Sequence, residues 1–330
     1  RSTLFPYTTL FRSVKFVPVE DVSLLPNVLS ALEAVIEHHT RPGSAVIVPT
    51  PAYMPFLSIP GRCGRECVQV PARRGNDAAG RPVWDLDLDR IEAAMADGAG
   101  LLVLCNPWNP VGRVLSPVEL DAVAALSSRY RVPVFADEIH SPLVLDPAAA
   151  HTPYASRPAA EADLTFTATA VSKGWNIPGL MCAQLIASGG ARASWEASAP
   201  SAHLADETAA LGARAAAAAL TPAGLAWIRT VRGYIRGNAE LVAETLADVE
   251  GVEMTAPAGT YLAWLDCSGL DLQGTAPARF FRREPGVAMS PGAAFGRGYE
   301  RFCRLNLATG RGIAARIAQR LAGAVGALRA

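Results

Sequence analysis

The sequence predicts an α/β fold in which a mostly parallel sheet carries helices on both faces, followed by a smaller C-terminal α+β domain. Three observations support this prediction. The chain has 330 residues, which is longer than one typical domain, and half of its residues are hydrophobic. Short apolar runs rich in β-branched residues alternate with amphipathic helical stretches, which is the pattern of a parallel sheet. A long helical pattern over residues 221–247 then precedes a change to strand and turn signals.

The predicted large domain alternates strands and helices. Its strands are short apolar runs without polar alternation, as expected of strands buried on both faces, and they cover residues 45–49, 101–105, 132–136, 164–169 and 181–187. The helices cover residues 29–40, 87–96 and 117–129. Ser116 is a good N-cap for the last of these, because Pro117 takes the first helical position and Glu119 the third.

The predicted boundary between the domains lies at the long helix. Residues 14–225 form the large domain, and residues 226–330 form the small domain, which the chain enters through that helix. Within the small domain, residues 252–266 indicate strand, turn and strand, residues 301–307 another strand, and residues 314–328 a final helix.

Residues 1–13 do not fit either domain. They read RSTLFPYTTLFRS, a nearly palindromic stretch that repeats Thr-Leu-Phe and has neither helix nor strand periodicity. We interpret them as derived from a sequencing adaptor, with the natural N-terminal part of the large domain missing. The alternative is a natural, disordered N-terminal arm.

Composition argues against several classes of partner. Thirty basic residues offset 30 acidic ones, so no charge excess favours nucleic acid. No window approaches eighteen uninterrupted apolar residues and no basic segment precedes a long apolar run, so we expect neither a membrane span nor a secretory signal, and a cytoplasmic location. The six cysteines are scattered without a CxxC pair, so we expect reduced thiols and no metal site.

Polar side chains with distinct chemistry follow the predicted strands. In a parallel sheet the connecting loops at the carboxyl ends of the strands form the ligand site. The chain has only two lysines, so chemistry that needs a primary amine has few candidates. The candidate site offers an amine, a carboxylate, a carboxamide, an aromatic ring and a distant guanidinium, from Lys173, Asp137, Asn109, Tyr53 and Arg304 respectively. This set suits pyridoxal 5′-phosphate, whose aldehyde condenses with an amine.

Each of these residues also has an ordinary structural interpretation. Lys173 alone would suit a surface, Tyr53 alone a core and Asn109 alone a turn, so the prediction depends on their order along the chain. A carboxylate at position 137 would keep the ring nitrogen protonated, and we expect a neighbouring cation to lower the pKa of that carboxylate.

Several segments resemble fold-type I pyridoxal-phosphate enzymes of the aminotransferase class I/II superfamily, and most closely the MalY/PatB-type cystathionine β-lyases. The resemblance runs from about residue 24 to the C-terminus. The segments that carry it are PTPAYMPF at 49–56, NPWNPVGR at 106–113, ADEIH at 136–140, TAVSKGWNIPGL at 169–180, GTYLAWLD at 259–266 and RLN at 304–306.

The resemblance implies a role for each matching residue. Lys173 would be the Schiff-base lysine and proton carrier, and Asp137 the partner of the pyridine nitrogen. Asn109 would donate to the phenolic oxygen, Tyr53 would stack on the ring, and Arg304 would bind the substrate carboxylate.

Other implied roles concern specificity and assembly. His140 stands where ordinary aminotransferases carry a tyrosine, which favours a lyase; a satisfied loop histidine is the alternative. Trp108 would help to shape the substrate pocket. A homodimer that shares its active sites is expected from the resemblance.

The phosphate site departs from the aminotransferase pattern. Ala170 stands where that pattern has a serine, and no arginine follows the lysine at the usual place. Thr169 and Ser172 are the available hydroxyls, and the backbone N–H groups of a helix start around Asn27 and Val28 would bind the remaining charge. For this reason, and because an N-terminal segment is missing from the predicted large domain, we expect the chain as written to bind cofactor poorly or to be inactive.

The reaction predicted from these residues is β-elimination from cystathionine or a related cysteine S-conjugate, which gives a thiol, pyruvate and ammonia. One alternative is an aminotransferase, which transfers the amino group to a 2-oxo acid. Another is a non-catalytic pyridoxal-binding regulatory module, although no basic winged-helix segment is present. A plain nucleotide-binding α/β protein is the third, although no GxGxxG opens a helix after the first strand.

Overall fold

The computed structural model describes residues 17–78 and 80–328. The interpretation of residues 1–13 therefore lies outside the described residues. The largest sheet has seven strands in the order β1-β9-β8-β7-β6-β2-β3. Its strands are β1 (Val22–Leu25), β2 (Val46–Thr50), β3 (Cys67–Pro71), β6 (Leu101–Cys105), β7 (Val134–Asp137), β8 (Thr165–Thr169) and β9 (Ala183–Ile186).

Strand direction confirms a mostly parallel sheet. Strands β3, β2, β6, β7 and β8 pair in parallel, β9 pairs antiparallel with β8, and β1 pairs antiparallel with β9. The carboxyl ends of the central strands therefore meet at one edge, and their following loops lie side by side.

Helices cover both faces of this sheet, as predicted. One face packs against α1 (Val28–His38), α2 (Met54–Arg62) and α5 (Gly189–Ala197), and the other packs against α3 (Leu88–Ala96) and α4 (Pro117–Tyr130). Alternation along β6 shows the two faces, because Leu101 and Val103 pack on the first and Leu102 and Leu104 on the second. Each fully buried aliphatic side chain of this kind stabilises the fold by roughly 1.5–3 kcal/mol.

The capping prediction for α4 is confirmed. The Ser116 side chain accepts a hydrogen bond from the backbone N–H of Glu119, and the Glu119 carboxylate accepts one from the Ser116 N–H in return. Two orphan donors of the helix start are thus satisfied by a reciprocal pair.

The second sheet belongs to the C-terminal part of the chain, which is α+β as predicted. Its four antiparallel strands lie in the order β10-β11-β13-β12, and they are β10 (Glu253–Thr255), β11 (Leu262–Asp266), β12 (Ser290–Pro291) and β13 (Phe302–Asn306). Its helices are α8 (Pro222–Leu246), α9 (Pro277–Arg283) and α10 (Arg311–Ala327), which follow the short α6 (Ala199–His203) and α7 (Ala210–Ala219). The predicted boundary after residue 225 falls within the first turns of α8.

A hairpin that the sequence analysis did not predict joins the two sheets. It consists of β4 (Arg73–Asn76) and β5 (Pro82–Asp85). The Arg74 guanidinium forms ion pairs with Glu253 and Asp266 of the smaller sheet, and Trp84 Nε1 donates to Thr255 Oγ1 at 3.0 Å. The hairpin is therefore held by contacts with residues far away in the sequence.

Among the residues that the structure describes, no single helix is long and apolar enough to cross a bilayer. Helices α7 and α8 meet these criteria only when taken together, and they are bent by 74° relative to each other.

Candidate active site

A cavity of about 830 Å³ lies at the carboxyl ends of the central strands, between the large sheet and the small one. Eight of the predicted site residues line it, and most of them belong to the larger sheet and its loops. These positions are Asn27, Val28, Tyr53, Asn109, Asp137, His140, Ser172 and Lys173. Arg304 enters the same cavity from β13 of the smaller sheet.

Asp137 is the last residue of β7 and is almost completely buried. One carboxylate oxygen accepts a hydrogen bond from the Ile139 N–H at 3.0 Å. Burial raises the pKa of Asp137 from 3.8 to about 7, and this effect outweighs the Ile139 hydrogen bond and the Lys173 charge, which lower it. The Lys173 cation thus lowers the pKa of Asp137 as expected of a neighbouring cation, but desolvation of the carboxylate is the larger effect in this structure.

Lys173 lies in the turn that follows β8 and lines the cavity. Two backbone hydrogen bonds shape this turn, from Trp175 N–H to the Val171 carbonyl and from Ile177 N–H to the Ser172 carbonyl, both at 3.0 Å. The positive charge of Lys173 lowers the pKa of both Asp137 and His140.

Arg304 is fixed on both sides by hydrogen bonds. Its Nη1 donates to Asn109 Oδ1 at 3.0 Å and its Nη2 donates to Ser290 Oγ at 3.2 Å. Its guanidinium carbon lies 4.7 Å from the centre of the Phe295 ring. Because the Asn109 oxygen accepts from Arg304, the amide nitrogen of Asn109 is left to donate to another group.

Two rings occupy the walls of the cavity. Tyr53 is half-buried at the N-cap of α2 and meets Phe56 edge to face, with ring centres 5.6 Å apart. His140 is buried and lies edge to face with Tyr261 at 5.7 Å. Burial, together with the charges of Lys173 and Arg304, lowers the pKa of His140 to about 3, so the ring is neutral. Its Nδ1 has no hydrogen-bond partner among the residues that the structure describes.

The N-terminus of α1 forms another end of the cavity. Asn27 is its N-cap, and the Asn27 side chain accepts from the Ser30 N–H at 3.0 Å. Val28 and Leu29 line the cavity beside Ser172. The free N–H groups of a first helical turn and the helix dipole favour an anion at this place.

Two predicted residues do not line the cavity. The Thr169 hydroxyl is buried and donates to the Glu138 carbonyl at 3.3 Å, so it connects two strand ends and does not line the cavity. The Trp108 ring is buried in the core on the α4 face, where its Nε1 donates to the Pro51 carbonyl at 2.9 Å. The structure therefore places both side chains away from the cavity wall, with their donors bound to backbone carbonyls.

The cavity also includes residues that the sequence analysis did not assign. They include Leu29, Met54, Cys105, Leu262 and Met289, which are apolar or sulfur-containing, and Tyr261 and Ser290, which carry hydroxyls. Tyr261 lies within one of the segments that carry the family resemblance, so the motif pointed to its neighbourhood. Met289 and Ser290 lie in a segment with no such motif and reach the site only because β12 pairs with β13.

The structure has an α/β fold with a smaller antiparallel-sheet domain, and its cavity brings one lysine amine and one buried carboxylate together. Residues 10–318 match the family described as aminotransferase class I and II. The chain belongs to this family.

Several proteins that are similar to this chain are named as cystathionine beta-lyases. The chain is 37% identical over 297 residues to a cystathionine beta-lyase of Corynebacterium glutamicum, a match that covers 88% of this chain and 74% of that protein. It is 32% identical over 290 residues to cystathionine beta-lyase PatB of Bacillus subtilis, covering 87% and 73%. A solved structure from Corynebacterium diphtheriae, of a putative PLP-dependent beta-cystathionase, is similar with a TM-score of 0.84 and 35% identity, and the match covers 94% of this chain and 78% of that one.

Proposed function

We propose that this protein is a pyridoxal-phosphate-dependent carbon–sulfur β-lyase that cleaves cystathionine or a related cysteine S-conjugate to a thiol, pyruvate and ammonia. The observation that carries the proposal is the convergence of Lys173, Asp137, Asn109 and Arg304 on one cavity. The similarity to cystathionine β-lyases supports the same reaction class.

The residues present fit this cofactor. Buried His140 Nδ1, which has no hydrogen-bond partner among the described residues, and the amide nitrogen of Asn109 offer polar contacts to a ring, and Tyr53 offers a face on which it can stack. Asp137 would hold the ring nitrogen, Lys173 the aldehyde carbon, and the start of α1 with Ser172 the phosphate.

When bound, pyridoxal phosphate supplies an aldehyde that captures amines and a ring that accepts electrons from the substrate α-carbon. The Arg304 guanidinium binds the substrate carboxylate, and Asn109 and Ser290 orient that guanidinium before the substrate arrives. The Lys173 amine removes the proton from the α-carbon. The buried Asp137 carboxylate would hold a proton on the ring nitrogen. The positive charge of that protonated nitrogen would favour the ionised carboxylate and so lower the pKa of Asp137, which burial raises.

The position of His140 favours elimination over amino transfer. The family resemblance places it where ordinary aminotransferases carry a tyrosine, and its buried, neutral ring lies edge to face with Tyr261. Amino transfer to a 2-oxo acid is the competing outcome of the assay.

The test supplies cystathionine to the chain loaded with pyridoxal phosphate and measures thiol and pyruvate against amino transfer to a 2-oxo acid. Stoichiometric thiol and pyruvate are expected. Transfer that depends on the 2-oxo acid and releases no thiol would contradict the proposal. The variant Lys173→Ala should lose the yellow cofactor band, and Lys15→Ala, which changes the other lysine in the sequence, should retain it.

We further propose that the protein works as a homodimer in the cytoplasm. The dimer is what the family resemblance implies, and the six cysteines, all unpaired, suit a reducing compartment. Sedimentation of the cofactor-loaded chain at several concentrations tests the dimer; a monomer with full activity would contradict it.

A further inference from the structure

The site contains a second buried carboxylate that the proposed mechanism does not use. Glu138 directly follows Asp137 and is fully buried. Because successive side chains point to opposite sides of an extended segment, Asp137 lines the cavity whereas Glu138 does not. A buried charge in this position requires partners, since an unpaired one strongly destabilises a fold.

Glu138 has a hydrogen bond on each carboxylate oxygen. The backbone N–H of Tyr154 donates to Oε1 at 2.7 Å, and His151 Nε2 lies 3.0 Å from Oε2. The side chain therefore connects the end of β7 to the segment 151–154, which lies beyond the loop that follows the site.

The backbone of the same residue is held as firmly as its side chain. The Glu138 N–H donates to the Ala168 carbonyl of β8 at 2.8 Å, and the Glu138 carbonyl accepts from the Ser141 N–H at 2.9 Å and from the Thr169 hydroxyl at 3.3 Å. The turn closed by the Ser141 hydrogen bond contains His140. One residue thus fixes the backbone between Asp137 and His140.

We propose that Glu138 is a positioning residue, which holds Asp137 and His140 in register with the cofactor ring by anchoring their shared backbone to the segment 151–154. This inference rests on the proposed cofactor. Misplacement of a catalytic group by about 1 Å lowers the efficiency of an active site severely, so an anchor of this kind acts on ligand binding without contacting the ligand.

Equilibrium binding of pyridoxal phosphate to the cofactor-free chain, followed by absorbance, tests the inference. Glu138→Ala leaves the Tyr154 N–H unsatisfied and releases the turn, so the Kd should rise by about tenfold or more. Glu138→Gln keeps an acceptor for Tyr154 and a polar partner for His151, so its Kd should stay within about threefold of the parent value. His151→Ala removes one anchor of the two and should give an intermediate Kd.

A matched control separates positioning from general destabilisation. Thr255→Val removes a buried hydrogen bond, from Trp84 Nε1 at 3.0 Å, at a place that does not line the cavity. It should lower the thermal midpoint and leave the Kd unchanged.

Three results would overturn the inference: parent-like binding by folded Glu138→Ala, binding by Glu138→Gln as weak as that of the alanine variant, or a Kd for Thr255→Val that rises with its loss of stability. If Glu138→Ala does not fold, His151→Ala decides the test. A Kd of His151→Ala equal to that of the parent would overturn the inference, and a higher Kd would support it. If the parent chain binds no pyridoxal phosphate, the proposed function itself fails. If the parent binds it and only the variants behave differently from expectation, the positioning role of Glu138 fails and the proposed function does not.

Discussion

Replacement of Asp137 by Asn tests how burial affects the ionisation of the Asp137 carboxylate, and it needs no assay of activity. The side chains have the same shape, and the Asn oxygen can still accept from the Ile139 N–H. The variant differs from the parent chiefly in that position 137 no longer titrates.

The expected size of the effect follows from the pKa of Asp137, which burial raises from 3.8 in a solvated chain to about 7 in the folded protein. The folded state therefore binds more protons than the unfolded state between these values, and stability falls as the pH rises through this window. Each pKa unit corresponds to about 1.4 kcal/mol, so ionising Asp137 costs the cofactor-free parent about 4 kcal/mol in total, of which about 3 kcal/mol falls between pH 5 and pH 8.

Urea unfolding of the cofactor-free proteins at pH 5 and pH 8 measures this difference. The gain in stability of Asp137→Asn over the parent should be larger at pH 8 than at pH 5 by about 3 kcal/mol. Asp248→Asn, which changes an exposed carboxylate at the end of α8, is the control and should show no such dependence. A difference between parent and Asp137→Asn that is equal at the two pH values would refute the reasoning.

Other predictions concern the substrate, the pH profile and the fold. Arg304→Lys loses the planar fork that Asn109 and Ser290 orient, so KM for the amino acid should rise by roughly 10- to 100-fold in steady-state kinetics with a smaller change in kcat. His140 stays neutral because its pKa is lowered to about 3, so His140→Gln should leave the inflections of the kcat/KM profile between pH 5 and 9 in place. Ser116→Ala should cost about 1 kcal/mol of unfolding free energy in urea and leave kinetics unchanged, because it removes only the cap of α4.

Local sequence signals were sufficient for the elements that form the sheet core. The runs at β6 and β8 are apolar or β-branched throughout and lie centrally in the sheet, so their burial on both faces followed from composition. Ser116 and Glu119 specified a helix start by chemistry that operates within four residues. The positions of Asp137 and Lys173 after their strands then placed them at one edge of the sheet.

Features that depend on distant contacts were not predictable in this way. The β4 sequence Arg-Arg-Gly-Asn is exposed at every position and has no strand pattern, and Arg74 has its partners some 180 residues away. Trp108 was assigned to the pocket from its place in a motif, but its direction depends on the Pro51 carbonyl. The raised pKa of Asp137 likewise reflects the depth of its burial, which no neighbouring residue in the sequence reveals.

The hairpin of β4 and β5 affects how the protein unfolds. Trp84 donates to Thr255 and its ring packs against Tyr299 and Phe302, so a single aromatic side chain is shared by the N-terminal and C-terminal halves of the chain. Neither half could lose its structure without exposing this ring to water. We therefore expect the two halves to melt in one cooperative transition, and fragments separated near residue 225 to be insoluble or unfolded when produced alone.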